Sequence, residues 1–183
     1  MAPTAHVRSL VDRNAAVSDY VAPPAYAQLR ELYAANPTIP RTVIISCADP
    51  RCHPEAVFNL PSLDPSLATA VIRNAGGDVQ SALPAMLAID NLVDFNNVIL
   101  LKHTDCGSTL FRDDKIKAQL KDRAGSSAKE IEGMRFGENT VPVKESVKRD
   151  VAWLKENLLA SEAMKNVTGM LLHLDSGRVE IIT

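Results

Sequence analysis

At 183 residues, 46% hydrophobic and 23% charged, the chain is long enough for one domain with a real core and has the composition of an ordinary globular protein. Its 20 basic and 22 acidic residues leave a formal charge of −2 with no block of like sign, so neither nucleic acid nor an anionic membrane surface is an expected partner. Residues 1–20 carry Arg8, Asp12, Arg13 and Asp19 without a long apolar run, which argues against a secretory signal or a transmembrane span. Three cysteines, an odd number, suit a reducing cytoplasmic setting and metal or catalytic chemistry better than a disulfide framework.

In chain order, His6 to Tyr20 reads as a helix stopped by Pro23 and Pro24, and Ala25 to Ala35 as a second helix ending near Asn36 and Pro37. Arg41 to Cys47 is a β-branched apolar run with prolines on both sides, the pattern of a buried strand. Ala70 to Arg73 is a second strand leading into Asn74-Ala75-Gly76-Gly77, and Ser81 to Phe95 reads as a helix in which Pro84 is tolerable only because it lies in the first turn. Asn97 to His103 is a third strand, followed by an expected helix from Gly107 to Arg123 and a surface loop or partial helix from Gly125 to Gly137. Val143, Val147, Val151, Leu154 and Leu158 recur at helical spacing, with Trp153 beside them as core or subunit contact, and Val167 to Thr183 reads as a strand, a turn at Asp175-Ser176-Gly177 and a last strand. Strands alternating with helices predict an α/β fold: three αβα layers around a mainly parallel central sheet.

In such sheets, ligands gather beyond the carboxyl ends of the strands. Cys47 closes the first strand, Arg73 and Asn74 the second, and His103 the third, so three polar clusters fall at three strand ends. Cys47, His103 and Cys106 offer two thiolates and an imidazole, a good zinc donor set that leaves a tetrahedral ion one open position. A helix starting at Gly107 is expected to favour the thiolate of Cys106. Asp49 and Arg51 follow Cys47 at two and four residues, where the guanidinium would keep the carboxylate ionised and oriented. The bland alternative is a surface ion pair of little consequence.

Cys47-Ala48-Asp49-Pro50-Arg51, Arg73-Asn74-Ala75-Gly76 and His103-Thr104-Asp105-Cys106-Gly107 resemble the β-class carbonic anhydrases, firmly over Thr42 to Leu110 and more loosely through the Glu145–Val151 helix and the closing hairpin. The resemblance implies a β-carbonic-anhydrase-like single domain, with residues 1–38 as an N-terminal helical arm and 39–183 as the zinc-binding core. It implies a zinc lyase holding one Zn²⁺ per chain through Cys47, His103 and Cys106, with Asp49 and Arg51 as the catalytic dyad. Carbon dioxide is then the first substrate, and a homodimer or homotetramer the assembly. The short chain and its His103–Gly107 and Arg73–Gly77 motifs also resemble the carbonyl sulfide hydrolase branch, which makes hydrolysis of carbonyl sulfide or carbon disulfide the alternative. A noncatalytic zinc-binding module is more remote.

Gly76 and Gly77 read either as a turn that uses glycine's backbone freedom or as lining of the substrate pocket, the latter favoured by their place at a strand end. Cys52, close to Cys47, reads either as a fourth ligand that would close the site or as a packed side chain, with packing preferred. His53 and His173 are candidate proton relays, because imidazole as a group suits that role, but read better as surface or packing residues.

Overall fold

The computed structural model describes residues 3–61, 67–124, 128–157 and 166–182. Its helices are α1 (Ala5–Ala15), α2 (Tyr26–Ala35), α3 (Pro54–Val57), α4 (Val79–Val93), α5 (Asp113–Ala124), α6 (Ala128–Glu132) and α7 (Val143–Asn157). Its strands are β1 (Arg41–Cys47), β2 (Ala68–Asn74), β3 (Asn97–His103), β4 (Val167–His173) and β5 (Arg178–Ile182). They form one sheet in the order β2-β1-β3-β4-β5, parallel except for the last pair, a hairpin across residues 174–177.

The alternation of side chains along each strand divides the core in two. Val43 and Ile45 of β1, Val98 and Leu100 of β3 and Leu171 of β4 pack against Val79, Ala82 and Met86 of α4 and Val147, Val151 and Leu154 of α7. On the other side Ile44, Leu101 and Leu172 pack with Cys52, Val57, Phe58 and Leu60, from α3 and the chain around it. This is the expected three-layer αβα arrangement, and the valine stripe of α7 faces the sheet as its spacing predicts. Leu158 and residues 125–127 lie outside the described residues.

Several boundaries differ from expectation. α1 stops at Ala15 rather than Tyr20, with Thr4 capping its first turn through a bond from the Val7 amide. α4 begins two residues early because Asp78 caps it, accepting the Ser81 amide, and this puts Pro84 in the second turn. The expected helix from Gly107 is a three-residue 3₁₀ turn, Gly107–Thr109, followed by a break before α5. Short polar side chains explain the break: Thr109 Oγ1 donates to the Cys106 carbonyl at 2.8 Å, competing with helical bonding. The start of α5 is fixed elsewhere, by the Asp113 amide donating to Glu138 at 2.7 Å and by Asp113 accepting the Phe136 amide at 3.0 Å.

Lys102, next to His103, is buried and pairs with Asp150 of α7 at 2.6 Å, while Arg149 Nε donates to the other Asp150 oxygen at 2.8 Å. A second tie is Gly169 of β4, where a Cβ would stand 2.5 Å from a Val147 methyl and 2.7 Å from a Val151 methyl. Gly169→Ala is therefore expected to lower stability by about 1–3 kcal/mol through overpacking. Urea denaturation measures this, and an unchanged midpoint would mean that α7 does not lie so close.

Candidate metal centre

Cys47 and His103 are the last residues of two adjacent parallel strands. Ser46 pairs with Leu101, so Cys47 falls beside Lys102 and His103 extends one residue further. The next turn brings Cys106 back, and its tightness shows in Asp105, a non-glycine residue at φ 52°. Cys47, His103 and Cys106 are all buried, with ligand atoms within 4.8 Å of one another, the group able to hold a metal ion among the described residues.

The spacing suits a tetrahedral ion. Two sulfurs bound to zinc at about 2.3 Å would stand about 3.8 Å apart, and Cys47 Sγ and Cys106 Sγ are 3.7 Å apart. His103 is oriented for the same task. Its Nδ1 faces the Thr104 carbonyl at 2.8 Å, and Thr104 is itself fixed by its amide donating to Leu172 O at 2.9 Å and its hydroxyl accepting the Leu174 amide at 3.0 Å. With the proton on Nδ1, Nε2 presents a lone pair, and that buried nitrogen has no hydrogen-bond partner. A buried polar atom without a partner is costly, and a metal ion between it and the two sulfurs would satisfy it.

The thiols compete for protons in a graded way. The hydrogen bond to Cys106 pushes Cys47 up, as does burial, while the Asp49 and Gly76 amides act against the rise. Cys106 is pushed down by its bond with Cys47, helped by His103 and Ser108 against burial. Burial opposes charge on His103, but Cys106, the Thr104 carbonyl and Asp49 leave it raised overall. The expected helix dipole at Cys106 is absent, since a three-residue turn carries no such field. Its place is taken by Ser108, whose hydroxyl donates to Cys106 Sγ at 3.2 Å.

Asp49 and Arg51 meet as a bidentate pair. Arg51 Nε donates to Asp49 Oδ1 at 3.0 Å and Nη2 to Oδ2 at 2.7 Å, and the Arg51 amide donates to Oδ1 at 2.9 Å. These bonds hold the carboxyl well below the usual carboxylate range. Asp49 Oδ2 is also 3.8 Å from His103 Nε2, beside the ligand atoms. Arg51 further donates through Nη1 to Asp105 Oδ2 at 2.8 Å and through Nη2 to the Asp105 carbonyl at 3.0 Å, tying the Cys47 loop to the Cys106 loop. The pair is thus a junction between the two ligand-bearing loops.

Gly76 and Gly77 are buried, beside Ser108 and the end of β1 respectively, at φ 68° and 60°. A Cβ on Gly76 would meet the Gly137 carbonyl at 2.5 Å, and one on Gly77 the Ser46 carbonyl carbon at 3.3 Å. Only glycine fits the turn that brings the Gly76 amide to Cys47. Cys52 lies outside the ligand group, fully buried among Ile44, Leu101 and Leu172, and burial pushes its thiol up to about 11. Cys52→Ala is expected to leave metal content unchanged, at a stability cost of about 1 kcal/mol for the lost sulfur; metal analysis of the purified variant decides it, and depletion would make Cys52 a ligand. His53 pairs with Glu55 at 3.0 Å and His173 with Glu180 at 3.2 Å, each a contact between half-exposed groups away from the ligands.

Sequence reasoning passed over Thr104, Asp105 and Ser108 as separate contributors. Their position inside or next to the His103–Cys106 motif was the available signal, because ligands so closely spaced need their own loop to supply the supporting bonds.

No protein-family profile matches the chain. Among curated proteins, β-carbonic anhydrase 1 of Mycobacterium tuberculosis and of Mycobacterium bovis is 37% identical over 83 residues, which are 45% of this chain and 48% of the relative. The chain thus spans about half the length of the curated relatives it matches. Among solved structures, a carbonic anhydrase from Streptococcus mutans superposes with a TM-score of 0.72 at 24% identity, covering 100% of both chains. A carbonic anhydrase from Glaciozyma antarctica gives 0.68 at 26%, covering 100% of this chain and 97% of that one. The apo form of a carbon disulfide hydrolase gives 0.62 at 19%, covering 97% and 90%, a likeness of fold.

Proposed function

We propose, from the premise that this chain is β-carbonic-anhydrase-like in sequence and fold, that it is a zinc lyase interconverting carbon dioxide and water with bicarbonate and a proton. The observation that carries the reading is the buried, partnerless Nε2 of His103, facing two thiols at ligand spacing with a clamped carboxylate beside it. Cys47, His103 and Cys106 would hold one Zn²⁺, with the Asp49 carboxylate beside those ligand atoms. Zinc, when bound there, supplies Lewis acidity: it acidifies water and stabilises charge developing on the substrate oxygen.

The chain's own residues do the rest. Asp49 accepts a hydrogen bond from the attacking water and so aims its lone pair at the carbon. Arg51 keeps that carboxylate ionised and fixed, leaving it unable to donate a competing proton. The Gly76–Gly77 turn lines the substrate side, and the released proton passes to buffer.

Turnover is expected to rise above neutral pH. Asp49 titrates below the ordinary carboxylate range and is ionised throughout the working range, so it gives no limb there. Two thiolates cancel the charge of a dication, which three imidazoles would not, and so blunt the acidification of water. A pH–rate profile of kcat already at its plateau at pH 6 would contradict this.

Hydrolysis of carbonyl sulfide or carbon disulfide is the second reading, favoured by the fold shared with a carbon disulfide hydrolase. Parallel assays of bicarbonate formation from carbon dioxide and sulfide release from carbonyl sulfide separate the two; faster sulfide release would reassign the substrate. The proposal includes assembly as a homodimer or homotetramer, since α1 and α2 bury no residue within their own chain. It also includes a cytoplasmic location, in keeping with three free thiols. No described helix is long and apolar enough to cross a membrane.

A further inference from the structure

The loop from Ala48 to His53 joins β1 to α3 and carries Asp49 and Arg51. Its amides make two main-chain bonds: the Cys52 amide donates to the Asp49 carbonyl within the loop at 2.9 Å, and the Ala48 amide to the Asn74 carbonyl of β2 at 2.8 Å. Three carbonyls, those of Cys47, Asp49 and Cys52, instead converge on one side chain from another strand. Arg73, in register with Ser46 on the neighbouring β2, donates through Nε to Cys47 O at 3.2 Å, and through Nη2 to Asp49 O at 2.8 Å and Cys52 O at 3.0 Å. Among the described residues no carboxylate lies within ion-pair distance of Arg73, so its hydrogen bonding is directed at this loop backbone.

We infer that Arg73 is a positioning residue for Asp49, acting through the backbone of the Cys47–Cys52 loop; the inference rests on the hydration activity proposed above. Asp49 is then fixed at both ends, its backbone carbonyl by Arg73 and its carboxylate by Arg51. Each end needs its own guanidinium, because a side-chain clamp cannot fix a carboxylate whose backbone drifts. A planar fork that reaches several acceptors at once suits this task, and a point-like ammonium does not. Cys47 is also held by its pairing with Asn74 in the β1–β2 ladder, so metal retention is expected to survive the loss of Arg73.

The test compares zinc-loaded parent, Arg73→Ala and Arg73→Lys by zinc content, hydrogen exchange of the peptide spanning 48–53, and stopped-flow hydration. Arg73→Ala is expected to hold one zinc per chain, to exchange that peptide about tenfold faster, and to lose about ten- to hundredfold in kcat with KM within about twofold, as a displacement of Asp49 near 1 Å requires. Arg73→Lys is expected to fold normally and recover part of kcat by reaching some of the carbonyls. Unchanged exchange, unchanged kcat at full zinc content, or a loss that only follows lost zinc would each overturn the inference. If the parent hydrates no carbon dioxide, the proposed function falls instead, and the exchange rates alone decide whether Arg73 holds the loop.

Discussion

Replacing Cys106 by alanine is expected to abolish zinc retention and, with it, all turnover above the buffer rate. Cys106 is the residue the site ionises first, being pushed down by Cys47, His103 and Ser108 together. Its loss leaves one buried thiol and one buried imidazole, a two-donor site too poor to compete with water. Zinc affinity should fall by well over about a hundredfold, more than the loss of a supporting hydrogen bond causes. Competition with a chromophoric chelator measures it, on variant and parent side by side. Full zinc occupancy in Cys106→Ala would mean that another residue completes the donor set. Affinity in the parent should also weaken as pH falls, because both thiols must give up protons to bind.

Asp49→Ala is expected to behave in the opposite way, keeping its zinc and losing turnover. The carboxylate lies 3.8 Å from the imidazole nitrogen but outside the ligand group, and Arg51 already occupies both of its oxygens. An interaction that matters only while water attacks should reduce kcat and kcat/KM together, here by about 10²–10³. Arg51, left with Asp105 alone, would add positive charge beside the ion without aiming anything. Stopped-flow hydration of the zinc-replete variant gives the answer. Turnover within a few-fold of the parent would make Asp49 and Arg51 a structural junction and nothing more.

Much of this was legible in the sequence because it depends on local pattern. Arg41–Cys47 and Asn97–His103 are strands whose limits the apolar runs mark to the residue. The stripe from Val143 to Leu154 gives α7 its buried face, and the Cys47–Arg51 and His103–Cys106 spacings give the candidate site. What was not legible depends on meetings across the fold. Gly107–Thr109 looked like a helix start, and only the bonds of Ser108 and Thr109 back to Cys106 show why it is a single turn. Arg73 stood out only as a polar strand end, and Asp105 only as part of the His103–Cys106 motif. Their roles come from carbonyls and a guanidinium brought together from positions 21 to 54 residues apart. Pro84 was expected at a helix start and lies in the second turn, because capping by Asp78 moved that start two residues upstream.

The most direct measurement of the central claim is metal content and stopped-flow carbon dioxide hydration on the same zinc-reconstituted sample at pH 8.5. The account predicts one zinc per chain and saturable hydration far above the buffer rate, both lost in Cys106→Ala and only the second lost in Asp49→Ala. One zinc per chain with no hydration above buffer would contradict it and leave a metal-binding domain without this chemistry.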